Sequence, residues 1–180
     1  MDVYDAIKNR RSIRKYKPDP VPLDVITRVL DAARLAPTWA NMQGIRYVVV
    51  TGKEQVARVA DATGQKWVKK DAPPPAFIVA ISDPKWSGNR PDSKGDLAYF
   101  MLDVGIAFEH LVLAATAEGL GTCWIGFFDE EALRDVLGIK GTNRVVALTP
   151  IGYPAESPAP RARKPLSEIA FLDTIGTKLP

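Results

Sequence analysis

LAYFMLDVGIAFEHLVLAATA, residues 97 to 117, is the most apolar run of the chain, and its interruptions decide what it is. Asp103, Glu109 and His110 fall inside it, and ionisable groups at that density argue against a membrane span. The run therefore predicts a buried helix, capped by Asp96 and continuing to about Glu118. A helix that is apolar almost all round belongs at the centre of a core.

The stretches around it supply what such a helix packs against. YVVV at 47–50, closed by Thr51-Gly52, and FIVAI at 77–81, entered through Pro73-Pro74-Pro75, are β-branched runs that read as buried strands. Gly119-Leu120-Gly121 ends the central helix and leads into a strand-like Thr122-Cys123-Trp124-Ile125. VVAL at 145–148 is a further strand.

Helices fill the intervals. Asp2 is placed to cap one through Arg10, with Val3, Ala6 and Ile7 on one face. The connection Pro18–Pro22 cannot be helical, but Pro22 suits a first turn, after which Leu23, Ile26, Leu30 and Ala33 form a stripe that Pro37 stops. Further helices are expected over Glu54–Ala62 and after Asp129, the latter with Leu133, Val136 and Leu137 inward and Gly138 at its end. The polar stretch Asp83 to Asp96, with Pro84, Gly88, Pro91 and Gly95, reads as a mobile lid flanked by Trp67 and Trp86. The pattern is α+β, in a single domain of 180 residues.

Composition narrows the class. Hydrophobic residues make up 46% and charged residues 25%, an ordinary globular balance that needs no disulfide or metal staple. Cys123 is the one cysteine, which fits a reducing, cytoplasmic setting, and the polar start Met1-Asp2-Val3-Tyr4-Asp5 lacks a signal-peptide pattern. The net charge of +3 is too small to imply nucleic acid. Its placement is more informative, because basic residues crowd into 8–17 and 161–164.

Four segments carry candidate chemistry. In RRSIR, 10 to 14, an extended backbone puts Arg10, Ser12 and Arg14 on one side and Arg11 opposite, a set of donors suited to phosphate. A solvated basic turn opposing a helix dipole accounts for the same spacing. In APTWANMQ, 36 to 43, Thr38, Asn41 and Gln43 either face a ligand or satisfy a helix-ending loop. In GLGTCWIG, 119 to 126, close glycines allow backbone amides to approach a flat ligand, or make a tight turn. Arg161, Arg163 and Lys164 form a second basic cluster. His110 fits a packed, hydrogen-bonded side chain better than a catalyst, and Cys123 a buried hydrophobe better than a nucleophile.

Taken in register, these segments, with GQKW at 64–67 and RARKPLSEI at 161–169, resemble the nitroreductase-like family of FMN-dependent oxidoreductases, from Tyr4 to about Ile169. The resemblance implies a central, mostly antiparallel sheet flanked by helices, in an intertwined homodimer whose C-terminal arm, 154–180, packs on the partner subunit. It implies that Arg10, Ser12 and Arg14, with Arg11 nearby, contact FMN phosphate or ribityl oxygens, and that Arg161 and Arg163 close on the same phosphate. Pro37, Thr38 and Asn41 match a loop reaching the flavin of the other subunit. Gln65 matches an amide at the ribityl or pyrimidine edge, and the backbone of Ile125 and Gly126 matches the strand end beside flavin N5.

The implied activity is hydride transfer from NAD(P)H through flavin N5 to a nitroaromatic, quinone or related small-molecule acceptor, with protons from water and no catalytic side chain or metal. Dehalogenation, dehydrogenation and flavin cleavage are alternatives within the family. A basic nucleic-acid-binding module is the alternative outside it, and the chain lacks the aromatic ladder such a module needs. Two departures stand out. Ile125 occupies a position where some members carry glutamate, and Met42-Gln43-Gly44-Ile45 replaces a usual proline and aromatic after the glutamine.

Overall fold

A computed structural model describes residues 1–69, 73–91 and 97–179. Helix α1 (Val3–Asn9) is capped as its sequence predicts, the Asp2 carboxylate accepting the N–H of Asp5 at 2.8 Å. Helix α2 (Leu23–Arg34) follows Pro22 and buries Ile26, Val29 and Ala33. Leu23, expected inward, is exposed, and Val29 takes the buried place.

Strand β1 (Ile45–Val50) starts two residues before the β-branched run. Helices α3 (Lys53–Ala62) and α4 (Lys66–Lys69) separate it from β2 (Ala76–Ser82). The short β3 (Asn89–Arg90) pairs with β4 (Leu97–Ala98), and the central helix α5 (Tyr99–Ala117) follows directly. Then come β5 (Gly121–Thr122), α6 (Glu130–Leu137) and β6 (Arg144–Gly152). Asp129 caps α6 by accepting the N–H of Ala132, and Gly138 ends it at φ 65°, a left-handed conformation that glycine adopts at no cost.

The four-stranded sheet runs β1-β2-β6-β5 with every pair antiparallel. On one face Ile78, Ala80, Ala147 and Ile151 pack with Val104, Phe108 and Leu111 of α5 and with Ile26 and Val29 of α2. On the other, Phe77, Val79, Val145 and Leu148 meet Val56 and Val59 of α3 and Leu133 of α6. Both faces are covered, so the inner strands read as continuous apolar runs and not as alternating ones. The molecule is α+β.

Helix α5 has the length and apolarity of a membrane span by composition. Its buried face, carrying Phe100, Asp103, Val104, Phe108, Leu111 and Val112, makes it the central helix of this core instead.

Other expectations need correcting. The proposed cap Asp96 lies outside the described residues, and Ala98 occupies the N-cap of α5. Strand character after Gly121 stops at Thr122. Trp124 turns aside, its ring edge-on to Phe108 at 4.6 Å, and Ile125 rejoins the sheet through a bridge to Leu148. His110 is exposed, with Nδ1 3.3 Å from the carbonyl oxygen of Ala32. Residues 84–91 of the expected lid are tied to the body by a short 3-10 turn, the β3–β4 pair and a bond from Tyr99 N–H to the Gly88 carbonyl; 92–96 lie outside the described residues.

Candidate functional site

The basic segment is docked on the sheet. Ser12 bridges Thr122 in parallel fashion, and Ile13 N–H donates to the Thr122 carbonyl at 2.8 Å, so residues 12–13 continue the sheet beyond β5. Ile13 points inward and is 6% exposed, against Gly121, where an added Cβ would lie 2.8 Å from the Ile13 Cβ. Ser12 and Arg14, on either side of it, therefore face away from the core. The alternation ends there, because Tyr16 rather than Lys15 turns in, its hydroxyl donating to the Ile13 carbonyl at 2.5 Å. Burial raises the Tyr16 pKa far above the ordinary phenol value.

The chain's tail returns to this segment. Lys17 N–H donates to the Tyr153 carbonyl, Ala155 N–H to that of Lys15, and Arg14 N–H to a carboxylate oxygen of Glu156 at 2.5 Å. Beyond Glu156 the chain passes Pro158 and Pro160, bringing Arg161 and Arg163 to the same concavity as Arg10, Arg11, Ser12 and Arg14, a space of about 400 Å³. Two basic clusters about 150 residues apart in sequence thus line one site. Within it Arg11 reaches back, its Nη1 donating to the carbonyls of Lys8 and Arg10 at 2.7 and 2.9 Å. Arg10 approaches Glu109 at 4.0 Å; burial holds the Glu109 pKa above its ordinary value, with Arg10 and His110 offsetting only part of the rise.

Beside this site the Arg14 guanidinium lies 5.7 Å from the centre of the Trp67 ring. Gln65 Nε2 donates to the Phe127 carbonyl at 3.1 Å, which brings the α3–α4 connection against the Ile125–Gly126 strand end. Ile125 uses both its backbone groups on Leu148, at 2.8 and 3.1 Å, and buries its side chain. It anchors the strand end, and Gly126, exposed, is the member of the pair that faces out. Cys123 sits under the basic segment, buried, and burial pushes its thiol pKa up, with Arg14, Ser12 and Arg10 pulling the other way.

Pro37, Thr38 and Asn41 are not part of the arginine-lined concavity. Thr38 instead lines a groove between α2 and the edge strand β1. Their loop is held in an unusual shape. Ala40, Asn41 and Gln43 have φ of 44°, 56° and 51°, left-handed values costing of order 1 kcal/mol apiece for residues with a Cβ. Local bonds sustain it: Gln43 N–H donates to Thr38 Oγ1 at 3.0 Å, and Trp39 N–H to Asp103 Oδ1 at 2.8 Å.

Comparison with known proteins decides the family. The model of the nitroreductase family matches residues 7–153. The chain belongs to the nitroreductase family. A Methanothermobacter thermautotrophicus protein, provisionally named NADH dehydrogenase/NAD(P)H nitroreductase, is 32% identical over 166 residues, covering 89% of this chain and 82% of that one. The crystal structure of a nitroreductase family protein from Clostridium novyi NT superposes with a TM-score of 0.79 at 36% identity, over 99% and 97% of the two chains. An FMN-dependent nitroreductase from Clostridium difficile R20291 gives 0.74 at 27% identity, over 88% and 91%.

Within this nitroreductase-family chain the departure at Gly44 has a local reason. A Cβ there would lie 2.6 Å from the Trp86 Cβ, so the missing side chain lets residues 84–88 pack down on the Thr38–Gln43 loop. Sequence reasoning missed two further residues. Glu156, which ties the tail to Arg14, has no sequence signal. Asp103 has one, a carboxylate inside an apolar helix, which on sequence alone argues only against a membrane span.

Proposed function

We propose that this nitroreductase-family chain is an FMN-dependent NAD(P)H oxidoreductase acting on nitroaromatic, quinone or related small-molecule acceptors. The observation that carries the proposal is the convergence of Arg10, Ser12 and Arg14 with Arg161 and Arg163 on one concavity. Such a donor set fits a phosphomonoester, because guanidinium forks bond its oxygens in pairs and a hydroxyl adds a further donor. FMN, when bound, supplies the hydride transfer between NAD(P)H and the acceptor.

The residues of the chain do the rest. Arg10, Ser12 and Arg14 hold the phosphate from the head of the chain, and Arg161 and Arg163 from its tail. Gln65, fixed on the Phe127 carbonyl, lies against the Ile125–Gly126 strand end, and its near neighbour Trp67 carries the Arg14 guanidinium at 5.7 Å. Pro37, Thr38 and Asn41 serve the flavin of a second copy, so that each site is shared across a homodimer. Exposed apolar side chains support that assembly: Tyr4 and Ile7 on α1, Met101 and Leu102 on α5, and Ile169 and Ile175 in the 154–180 arm, which packs on the partner. A cytoplasmic setting belongs to the same proposal, in keeping with the free thiol of Cys123.

The purified protein is expected to show flavin absorption bands, alone or after FMN addition, that bleach anaerobically with NADH or NADPH. No flavin uptake would defeat the proposal. Uptake without bleaching would leave a flavin carrier in place of an oxidoreductase.

A further inference from the structure

The loop 36–44 and the segment 84–91 are interlocked reciprocally. Trp39 of the first seats against Gly88 of the second, where an added Cβ would lie 2.4 Å from the indole Cε2. Trp86 of the second seats against Gly44 of the first, where the corresponding distance is 2.6 Å to the Trp86 Cβ. The first segment sets an indole against a glycine of the second, and the second sets the Trp86 Cβ and main chain against a glycine of the first. Neither can shift without displacing the other.

One carboxylate joins the two. Asp103, on the first turns of α5 and 5% exposed, accepts Trp39 N–H on Oδ1 and Ser87 Oγ–H on Oδ2, both at 2.8 Å. A buried carboxylate on the central helix is costly unless its oxygens are used, and here one oxygen goes to each segment. The bond to Trp39 enters the loop next to Thr38 and just before its left-handed residues, where backbone strain is stored.

We propose that Asp103 is a positioning residue that locks 36–44 and 84–91 into one unit and so sets how Thr38 and Asn41 are presented to the cofactor. The inference rests on Thr38 and Asn41 being cofactor contacts. It assigns segment 84–91 a supporting role in cofactor retention, through hydrogen bonds that asparagine can reproduce and leucine cannot. Asparagine can turn its oxygen to the Trp39 N–H and donate from its amide to Ser87 Oγ.

The test uses full-length apo-protein titrated with FMN, with tryptophan emission recorded in parallel. Asp103→Leu is expected to weaken FMN binding at least tenfold and to shift the emission of the half-exposed Trp39 and Trp86. Asp103→Asn should stay within about threefold of the parent. Ser87→Ala, a smaller change that keeps the fold, should weaken binding severalfold. The double variant Thr38→Ala/Asn41→Ala should also lose at least tenfold. Parent-like FMN binding in both Asp103→Leu and Ser87→Ala, alongside weakened binding in the double variant, overturns the role of Asp103 alone. Parent-like binding in Ser87→Ala overturns it where Asp103→Leu fails to fold. Failure of Asp103→Asn to restore binding also counts against it. Parent-like binding in the double variant overturns the cofactor reading of the loop and the proposal with it.

Discussion

Arg14 N–H and the Glu156 carboxylate, 2.5 Å apart, tie the head of the chain to its tail at the edge of the arginine-lined concavity. The bond fixes where the tail turns toward Arg161 and Arg163, so it positions cationic groups while adding a negative charge nearby. Glu156→Ala is expected to lower stability by about 1 kcal/mol, the worth of a partly exposed hydrogen bond to a charged group, and to weaken FMN retention. Glu156→Gln, which keeps an acceptor, should restore most of both. Thermal melting and FMN titration check this; equal losses in the two variants would sink the idea.

The arginines should not be equivalent. Arg10, Arg11 and Arg14 all line the concavity. Arg10 and Arg14 have loose side-chain contacts, to Glu109 at 4.0 Å and the Trp67 ring at 5.7 Å, whereas Arg11 is spent on the Lys8 and Arg10 carbonyls at 2.7 and 2.9 Å. Charge-assisted hydrogen bonds are worth about 1.5–3 kcal/mol each. Arg10→Ala/Arg14→Ala is therefore expected to weaken FMN binding by roughly two orders of magnitude or more, Arg161→Ala/Arg163→Ala in the same direction, and Arg11→Ala least. Isothermal titration with FMN orders them. An Arg11→Ala loss as large as the double variant's would contradict the assignment.

Gly121 supports the same segment from beneath. A methyl group there meets Ile13 Cβ and Cγ1 at 2.8 Å, in a buried contact with no flexible end to yield. Gly121→Ala is expected to cost about 1–3 kcal/mol by overpacking and to lower FMN affinity by lifting Ser12 and Arg14 with it. A melt within a degree of the parent would show that the segment relaxes freely.

Much of this architecture was legible in the chain. Asp2, Pro22, Asp129 and Gly138 mark helix ends because capping is local chemistry, and each does so in the structure. Strands β1, β2 and β6 were legible as apolar runs because both sheet faces are covered. What sequence could not give is pairing at a distance. Glu156 meets Arg14 across 142 residues, and Trp39 and Gly88 have no local pattern that joins them. The contacts of 84–91 were illegible for the same reason: Ser87 is held by Asp103 and Trp86 by the space at Gly44, neither of which its polar, glycine-bearing composition announces. Trp124 left the expected strand because its ring packs on Phe108.

Cys123 should be quiet. Its thiol is buried, and burial lifts its pKa above the ordinary value despite Arg14, Ser12 and Arg10 nearby. The thiol is thus less ionised than an exposed cysteine's, and the thiolate is the reactive form. Modification by a disulfide reagent at pH 8 is expected to be slow in the native protein and fast in denaturant. Native labelling at the denatured rate would contradict the burial.

The ion pair that closes α6 onto β6 should set part of the acid limit of the fold. Both Glu130 oxygens meet Arg144, at 2.8 Å to Nε and to Nη2, and Oε1 also accepts Val145 N–H at 3.1 Å. The bonds from Arg144 hold the Glu130 carboxyl below its ordinary pKa, against the opposing effect of burial. The folded state therefore binds fewer protons here than the unfolded one around pH 4, so the contribution is present above the ordinary glutamate value, about 4.3. It is lost as pH falls through the lowered folded value. Because the pair is partly exposed, its size is about 1 kcal/mol. Comparing Glu130→Gln with the parent by urea unfolding of the apo-protein should show that difference at pH 7 and its disappearance near pH 3. A difference that stays constant across this range would mean that the carboxylate's charge contributes nothing to the fold.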